Sequence, residues 1–170
     1  MTLIVCPLSR VEAVIAARRP SHLITLLDPA GLIETPTGMA RERHLRVGVN
    51  DIDAHEDGLV CPDTAVVDRI LEFGAGWDEQ APLLIHCWAG ISRSTATAFV
   101  LACERSPDTA EVEIARRLRA ASPTATPNRR IVALADDKLG RGGRMVDAAA
   151  SIGRGAFAYE GEPFDLPVRD

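Results

Sequence analysis

The run Leu83-Leu84-Ile85 is short, apolar at every position, and followed at once by His86-Cys87-Trp88-Ala89-Gly90-Ile91-Ser92-Arg93-Ser94. A strand with no polar alternation belongs inside a parallel sheet covered on both faces. Such a sheet needs a helix or a long crossover between its strands, and the rest of the chain supplies them. Leu3 to Cys6 reads as a first strand, and Ser9-Arg10-Val11-Glu12 as a capping box opening a helix to about Arg18, stopped by Pro20. His22 to Leu27 is a second strand, closed by Asp28-Pro29. Arg43 to Val49 alternates, with Leu45, Val47 and Val49 on one face and His44, Arg46 and Gly48 on the other, which predicts a half-buried strand.

Helices fill the intervals that follow. Pro62 suits a first turn, and Val66, Ile70, Phe73 and Trp77 then form one apolar stripe. Thr95 to Cys103 is a second apolar helix. A third is expected from Ser106-Pro107 to Ala121, with Val112, Ile114, Ala115 and Leu118 inward, and a fourth from about Asn128 to Leu139. The fold class expected is α/β, a mostly parallel central sheet of four to five strands flanked by helices. One domain should occupy residues 1–140. Residues 141–170, rich in Gly, Ala and Arg, read as a C-terminal extension, partly ordered or packed on the surface.

Composition narrows the function. A net charge of −5 argues against a general nucleic-acid binder, which needs a basic surface. With aromatics at only 4%, the core must be built from aliphatic side chains. The N-terminus lacks the pattern of a signal peptide, and no apolar run reaches the roughly 18 residues of a membrane span, so a cytoplasmic location is expected. Cys6, Cys61, Cys87 and Cys103 show neither CxxC nor zinc spacing, and Cys6 and Cys103 read as buried apolar filler.

The chemistry concentrates between Ile85 and Ser94. A buried strand delivers Cys87 to the carboxyl edge of the sheet, where open α/β sheets hold their ligands. Arg93 opens the next helix, and Gly90 lets the intervening loop curl so that its amides converge. Amides converging at a helix N-terminus make an anion site, to which a guanidinium adds a planar fork. Helix N-termini and nearby cations also lower the pKa of cysteines in general, from about 8.5 to as low as roughly 3.5. One device therefore captures an anion and activates a nucleophile.

His86, Cys87, Gly90, Arg93 and Ser94 together resemble the HCxxGxxRS loop of the protein tyrosine phosphatase superfamily, most closely its dual-specificity-like branch. The resemblance spans roughly residues 20–140 and includes Pro127-Asn128 ahead of a helix; the tail lies outside it. It implies a phosphomonoester hydrolase, acting on phosphotyrosine or a related phosphoester of a phosphorylated protein, or on a small phosphomonoester, through a cysteinyl-phosphate, without metal or other cofactor. Cys87 would be the nucleophile. The amides of Trp88, Ala89, Gly90, Ile91, Ser92 and Arg93 would hold the phosphate. Ser94 would assist departure of the sulfur, and His86 would orient the loop. Asp51, in Asn50-Asp51-Ile52 after the third strand, matches the general acid, with Asp53 and Asp57 as rivals in the same loop.

Departures bear on substrate. The absence of a WPD tripeptide disfavours the large tyrosine phosphatases, and the loop lacks the lysines of phosphoinositide phosphatases. Two other readings stand beside the phosphatase: a pseudophosphatase that binds phosphorylated partners, and a rhodanese- or arsenate-reductase-like sulfur enzyme. A disulfide between Cys61 and an oxidised Cys87 is a further, minor reading. Oligomeric state is not legible.

Overall fold

The computed structural model describes residues 1–168. Five strands form one sheet: β1 (Thr2–Pro7), β2 (His22–Leu27), β3 (His44–Gly48), β4 (Leu83–Cys87) and β5 (Phe164–Pro167), in the order β3-β2-β4-β1-β5. The pairings of β1 with β4, β4 with β2 and β2 with β3 are parallel, and β5 lies antiparallel along β1. Of the three interior strands, β2 and β4 are buried at every residue and β1 at every residue but Thr2, as expected for a sheet covered on both faces.

The helices are α1 (Val11–Arg18), α2 (Thr64–Ala75), α3 (Arg93–Arg105), α4 (Glu111–Ala121), α5 (Arg129–Lys138) and α6 (Arg144–Ser151). Their distribution over the two faces is unequal. The larger core joins Leu3, Val5, Ile24, Leu26, Leu83, Ile85 and Cys87 to α2 through α6. The smaller joins Ile4, Cys6, Leu23 and Leu84 to Val11 and Val14 of α1. Strand alternation thus puts Cys87 on the many-helix side and His86 on the opposite one. Helix α3 is buried along its length from Arg93 to Cys103, and within it the run Ala98 to Cys103 is apolar on every side.

Several boundaries differ from the expectations, each for a local reason. Ser9 does not cap α1. It lies in a short 3-10 turn, Leu8–Arg10, and its hydroxyl donates to both carboxylate oxygens of Glu160 at 3.0 and 3.1 Å, leaving α1 to start at Val11. Helix α2 begins after Pro62, because Asp63 is its cap, accepting from the Val66 N–H at 3.0 Å. Trp77 falls beyond the end of α2, yet it is buried and its indole N–H donates to the Ala81 carbonyl at 2.8 Å. Ser106-Pro107 does not open α4, because Thr109 N–H closes a turn on Ser106 O and the Ser106 hydroxyl donates to the Val168 carbonyl.

Residues 141–168 contribute regular structure. Asp136 starts α6 by accepting from the Gly143 and Met145 N–H groups at 2.7 and 2.8 Å, and Met145 and Ala148 of α6 are buried against α4 and α5. Phe164, Leu166 and Val168 bury their side chains along the β1 edge. No helix among the described residues is long and apolar enough to cross a membrane.

Candidate active site

Strand β4 ends at Cys87 and α3 begins at Arg93, so Trp88 to Ser92 make the whole turn from sheet to helix. Gly90 permits it. Its φ is +70°, and a Cβ there would lie 2.7 Å from Pro7 N and 2.8 Å from the Cys6 carbonyl carbon, so no other residue fits. The loop carbonyls are engaged from outside: Trp88 O by Leu8 N–H, Ala89 O by Gly161 N–H, Ile91 O by Thr126 N–H and Ser92 O by Asn128 N–H, at 2.8 to 3.2 Å. Among the described residues the amides of Ala89, Ile91 and Ser92 have no acceptor. A loop that turns its carbonyls out and keeps its amides free at a helix N-terminus is built for an anion.

The sulfur of Cys87 is buried and receives two polar contacts, from Gly90 N–H at 3.3 Å and from Ser94 Oγ at 3.1 Å. Arg93 is 6% exposed. Its Nη1 donates to Asp28 Oδ1 and to the Val49 carbonyl, both at 2.8 Å. Its Nε is buried with no partner among the described residues. The edge carrying Nε and Nη2 is therefore unused by the described protein groups, while the opposite corner is pinned. An orphan donor on a buried guanidinium costs on the order of 1–3 kcal/mol, a cost that a bidentate oxyanion would remove.

Asp51 approaches this loop from the segment after β3. Its Oδ1 accepts from Ser92 Oγ at 2.7 Å and from Asn128 Nδ2 at 3.0 Å. Asn50 closes the segment at its base, pairing with Val60 through its backbone and side chain. Asp53 and Asp57 make no contact with the phosphate loop among the described residues, and Asp57 lies beside His55 at 3.4 Å.

Behind the loop, a chain of buried hydrogen bonds crosses three strands. His86 Nδ1 lies 3.1 Å from the Cys87 carbonyl, His86 Nε2 lies 2.7 Å from Thr25 Oγ1, Thr25 Oγ1 lies 2.8 Å from His44 Nε2, and His44 Nδ1 lies 3.0 Å from Thr35 Oγ1. Burial lowers both histidines from 6.5 to about 4, so both rings are neutral near pH 7. The Cys87 carbonyl only accepts, which makes His86 Nδ1 the donor and Nε2 an acceptor. The Thr25 hydroxyl must then donate to His86 and accept from His44 Nε2–H, and His44 Nδ1 must accept from Thr35. One carbonyl fixes every proton in the chain.

Solved structures with a similar fold include human DUSP28 (19% identity, TM-score 0.56, covering 81% of this chain and 94% of that one) and the Cydia pomonella phosphatase PTP-2 (17%, 0.56, 79% and 83%). DUSP15 matches with 16% identity and a TM-score of 0.54, over 87% and 88% of the two chains. This is the dual-specificity phosphatase fold. No family model matches the chain, and no curated protein does.

Within this phosphatase fold, the structure brings His86, Cys87, Arg93, Ser94 and Asp51 to one loop; Asp53 and Asp57 stay outside. Cys61 is half-buried, and all four cysteines are free. Sequence reasoning did not find Asp28, the partner of Arg93, although an acid at the carboxyl end of a central strand was a usable signal. Nor did it find the link from Thr25 to His44, which no periodicity announces. It also did not foresee that Gly161 and Tyr159 reach the phosphate loop, Gly161 through Ala89 O and Tyr159 edge-on to Trp88 at 5.2 Å.

Proposed function

We propose that this chain is a cysteine-dependent phosphatase of the protein tyrosine phosphatase type, hydrolysing phosphomonoesters through a cysteinyl-phosphate. One observation carries the reading: at the two ends of one loop stand an inward cysteine sulfur and a buried guanidinium held at one corner, its Nε without a partner among the described residues. Arg93 and the free loop amides bind the phosphoryl oxygens. The Cys87 thiolate attacks phosphorus, the S–P bond forms and the ester P–O bond breaks, and Asp51 gives its proton to the departing oxygen. Water then attacks phosphorus, Asp51 takes back a proton, and the S–P bond breaks to release inorganic phosphate. Ser94 Oγ donates to the sulfur as it regains its charge.

The test is hydrolysis of p-nitrophenyl phosphate without added metal by the wild type, Cys87→Ser and Asp51→Asn. Cys87→Ser should abolish turnover; retained activity would refute the assignment. Asp51→Asn should lose roughly 10²-fold or more in kcat with phenyl phosphate, the range of a general acid. It should lose less with p-nitrophenyl phosphate, whose leaving group needs no proton. Equal losses on both esters would remove Asp51 from that role. Inorganic phosphate binding without turnover in the wild type would mark a binding module instead.

A further inference from the structure

Beside the phosphate loop lies a cavity of about 710 Å³, within the usual range of small-ligand sites. Its floor is Ile91 and Ser92 of the loop itself, and Asp51 lies on its wall. The other walls are α5, α6 and the segment of residues 153–158. That segment is fastened down: Gly155 N–H donates to Thr126 Oγ1 at 3.0 Å and Ala156 N–H to the Pro123 carbonyl at 2.9 Å. A Cβ on Gly155 would lie 2.5 Å from the Thr124 carbonyl, so the strap touches the loop before α5 backbone to backbone.

The position of Asp51 says what enters. A general acid must face the leaving oxygen. Asp51 Oδ1 is tied to Ser92 and Asn128, while Oδ2 has no partner among the described residues, on a carboxylate that lines this cavity. On the phosphatase reading, a group protonated by Asp51 leaves toward this cavity, whose lining holds Asp51, Ile91 and Ser92. Its lining has two characters. Val132, Val146, Ala149 and Ala150 present small aliphatic surface, and Phe157 stands 96% exposed at the rim. A phenyl so exposed on a fastened segment is apolar surface without a cover. Arg129 and Arg154 also line the cavity, and neither makes an ion pair or side-chain hydrogen bond among the described residues, on a chain whose net charge is −5.

We propose that this cavity is the leaving-group site, and that it selects low-molecular-weight phosphomonoesters whose alcohol is a bulky apolar body ending in an anionic group. The inference rests on the phosphatase reading above. The body lies between α5, α6 and Phe157, and the distal anion meets Arg129 and Arg154. A site walled by two helices and a strap suits a compact molecule better than a through-running peptide.

The experiment compares four substrates by kcat/KM: p-nitrophenyl phosphate, biphenyl phosphate, a biphenyl phosphate with a distal carboxylate, and an acidic phosphotyrosyl peptide. The wild type should prefer the carboxylated biphenyl ester over p-nitrophenyl phosphate by about tenfold or more, as apolar burial in a pocket allows. Arg154→Glu should reverse the advantage of the carboxylated over the plain biphenyl ester, a change of about threefold to tenfold for partly exposed charges. Ala150→Trp, which fills the cavity from the surface of α6, should lower the ratio of biphenyl phosphate to p-nitrophenyl phosphate; two variants guard against a folding defect in one. Turnover of p-nitrophenyl phosphate with no biphenyl preference, or with ratios unmoved by both variants, overturns the cavity assignment and leaves the phosphatase standing. A preference for the peptide over every small ester overturns the choice of a compact substrate. Failure to turn over any of the four overturns the phosphatase reading itself.

Discussion

At the scale of single residues, the informative asymmetry is in Arg93. One corner of its guanidinium is shared between Asp28 and the Val49 carbonyl, and the other edge has no partner among the described residues. Asp28 is 61% exposed in its side chain, so the ion pair contributes little to stability. Its contribution is orientation: without it, the guanidinium keeps only the Val49 carbonyl and can turn about that one bond. Asp28 is thus a positioning residue. Asp28→Ala should leave the melting temperature nearly unchanged while kcat/KM for p-nitrophenyl phosphate falls by about 10- to 100-fold, the scale of a misplaced group. Asp28→Asn retains the accepting oxygen and should recover most of that loss. An unaltered kcat/KM in the alanine variant would show that Val49 alone holds the fork.

At the scale of elements, the sheet is both frame and wiring. His86, Thr25 and His44 stand on β4, β2 and β3, on the face opposite the larger core, and their hydrogen bonds run across the strands. Because each proton in the chain is assigned, replacing the middle oxygen strands both neighbours. Thr25→Val is close to isosteric, but it leaves His86 Nε2 and His44 Nε2–H buried without partners, at about 1–3 kcal/mol each. The variant should lose roughly 2–6 kcal/mol in urea unfolding with an unchanged m-value. A shift below about 0.5 kcal/mol, as for an ordinary surface change, would mean that the rings repartner and that the chain is not structural. The same comparison shows what a sequence displays. Cys87, Gly90, Arg93 and Ser94 were legible because strand, loop and helix N-terminus are contiguous, so their spacing is their geometry. Thr25 and His44 look like ordinary strand residues. Their meaning comes from registers, Thr25 opposite His86 and Leu23 opposite His44, that only the assembled sheet contains.

For the whole molecule, the parts least legible in the sequence are those with distant partners. Phe164–Pro167 is too short, and too close to Pro and Gly, to read as a strand. It becomes one because β1 offers an unpaired edge, where Leu166 is buried completely. The types of β1 to β4 and α1 to α5 followed from apolar runs and periodicity, α6 was not read as a helix, and element ends were set by contacts such as Ser9 with Glu160. The buried histidines give this assembly a collective property. His44 and His86 are held neutral by desolvation to about pH 4, and burial lowers His22 as well. The unfolded chain, with histidines near 6.5, takes up protons as the pH falls through that value, and the folded chain does not. Stability is therefore full above about pH 6.5 and declines between 6.5 and 4. At pH 5 each of the two deeply shifted rings should account for about 2 kcal/mol of the decline. Urea unfolding at pH 7.5 and pH 5 should show this loss, and His44→Gln should remove about half of it. Equal midpoints at the two pH values would mean that the rings take up protons in the folded state, and that the hydrogen-bond chain behind Cys87 is not held neutral.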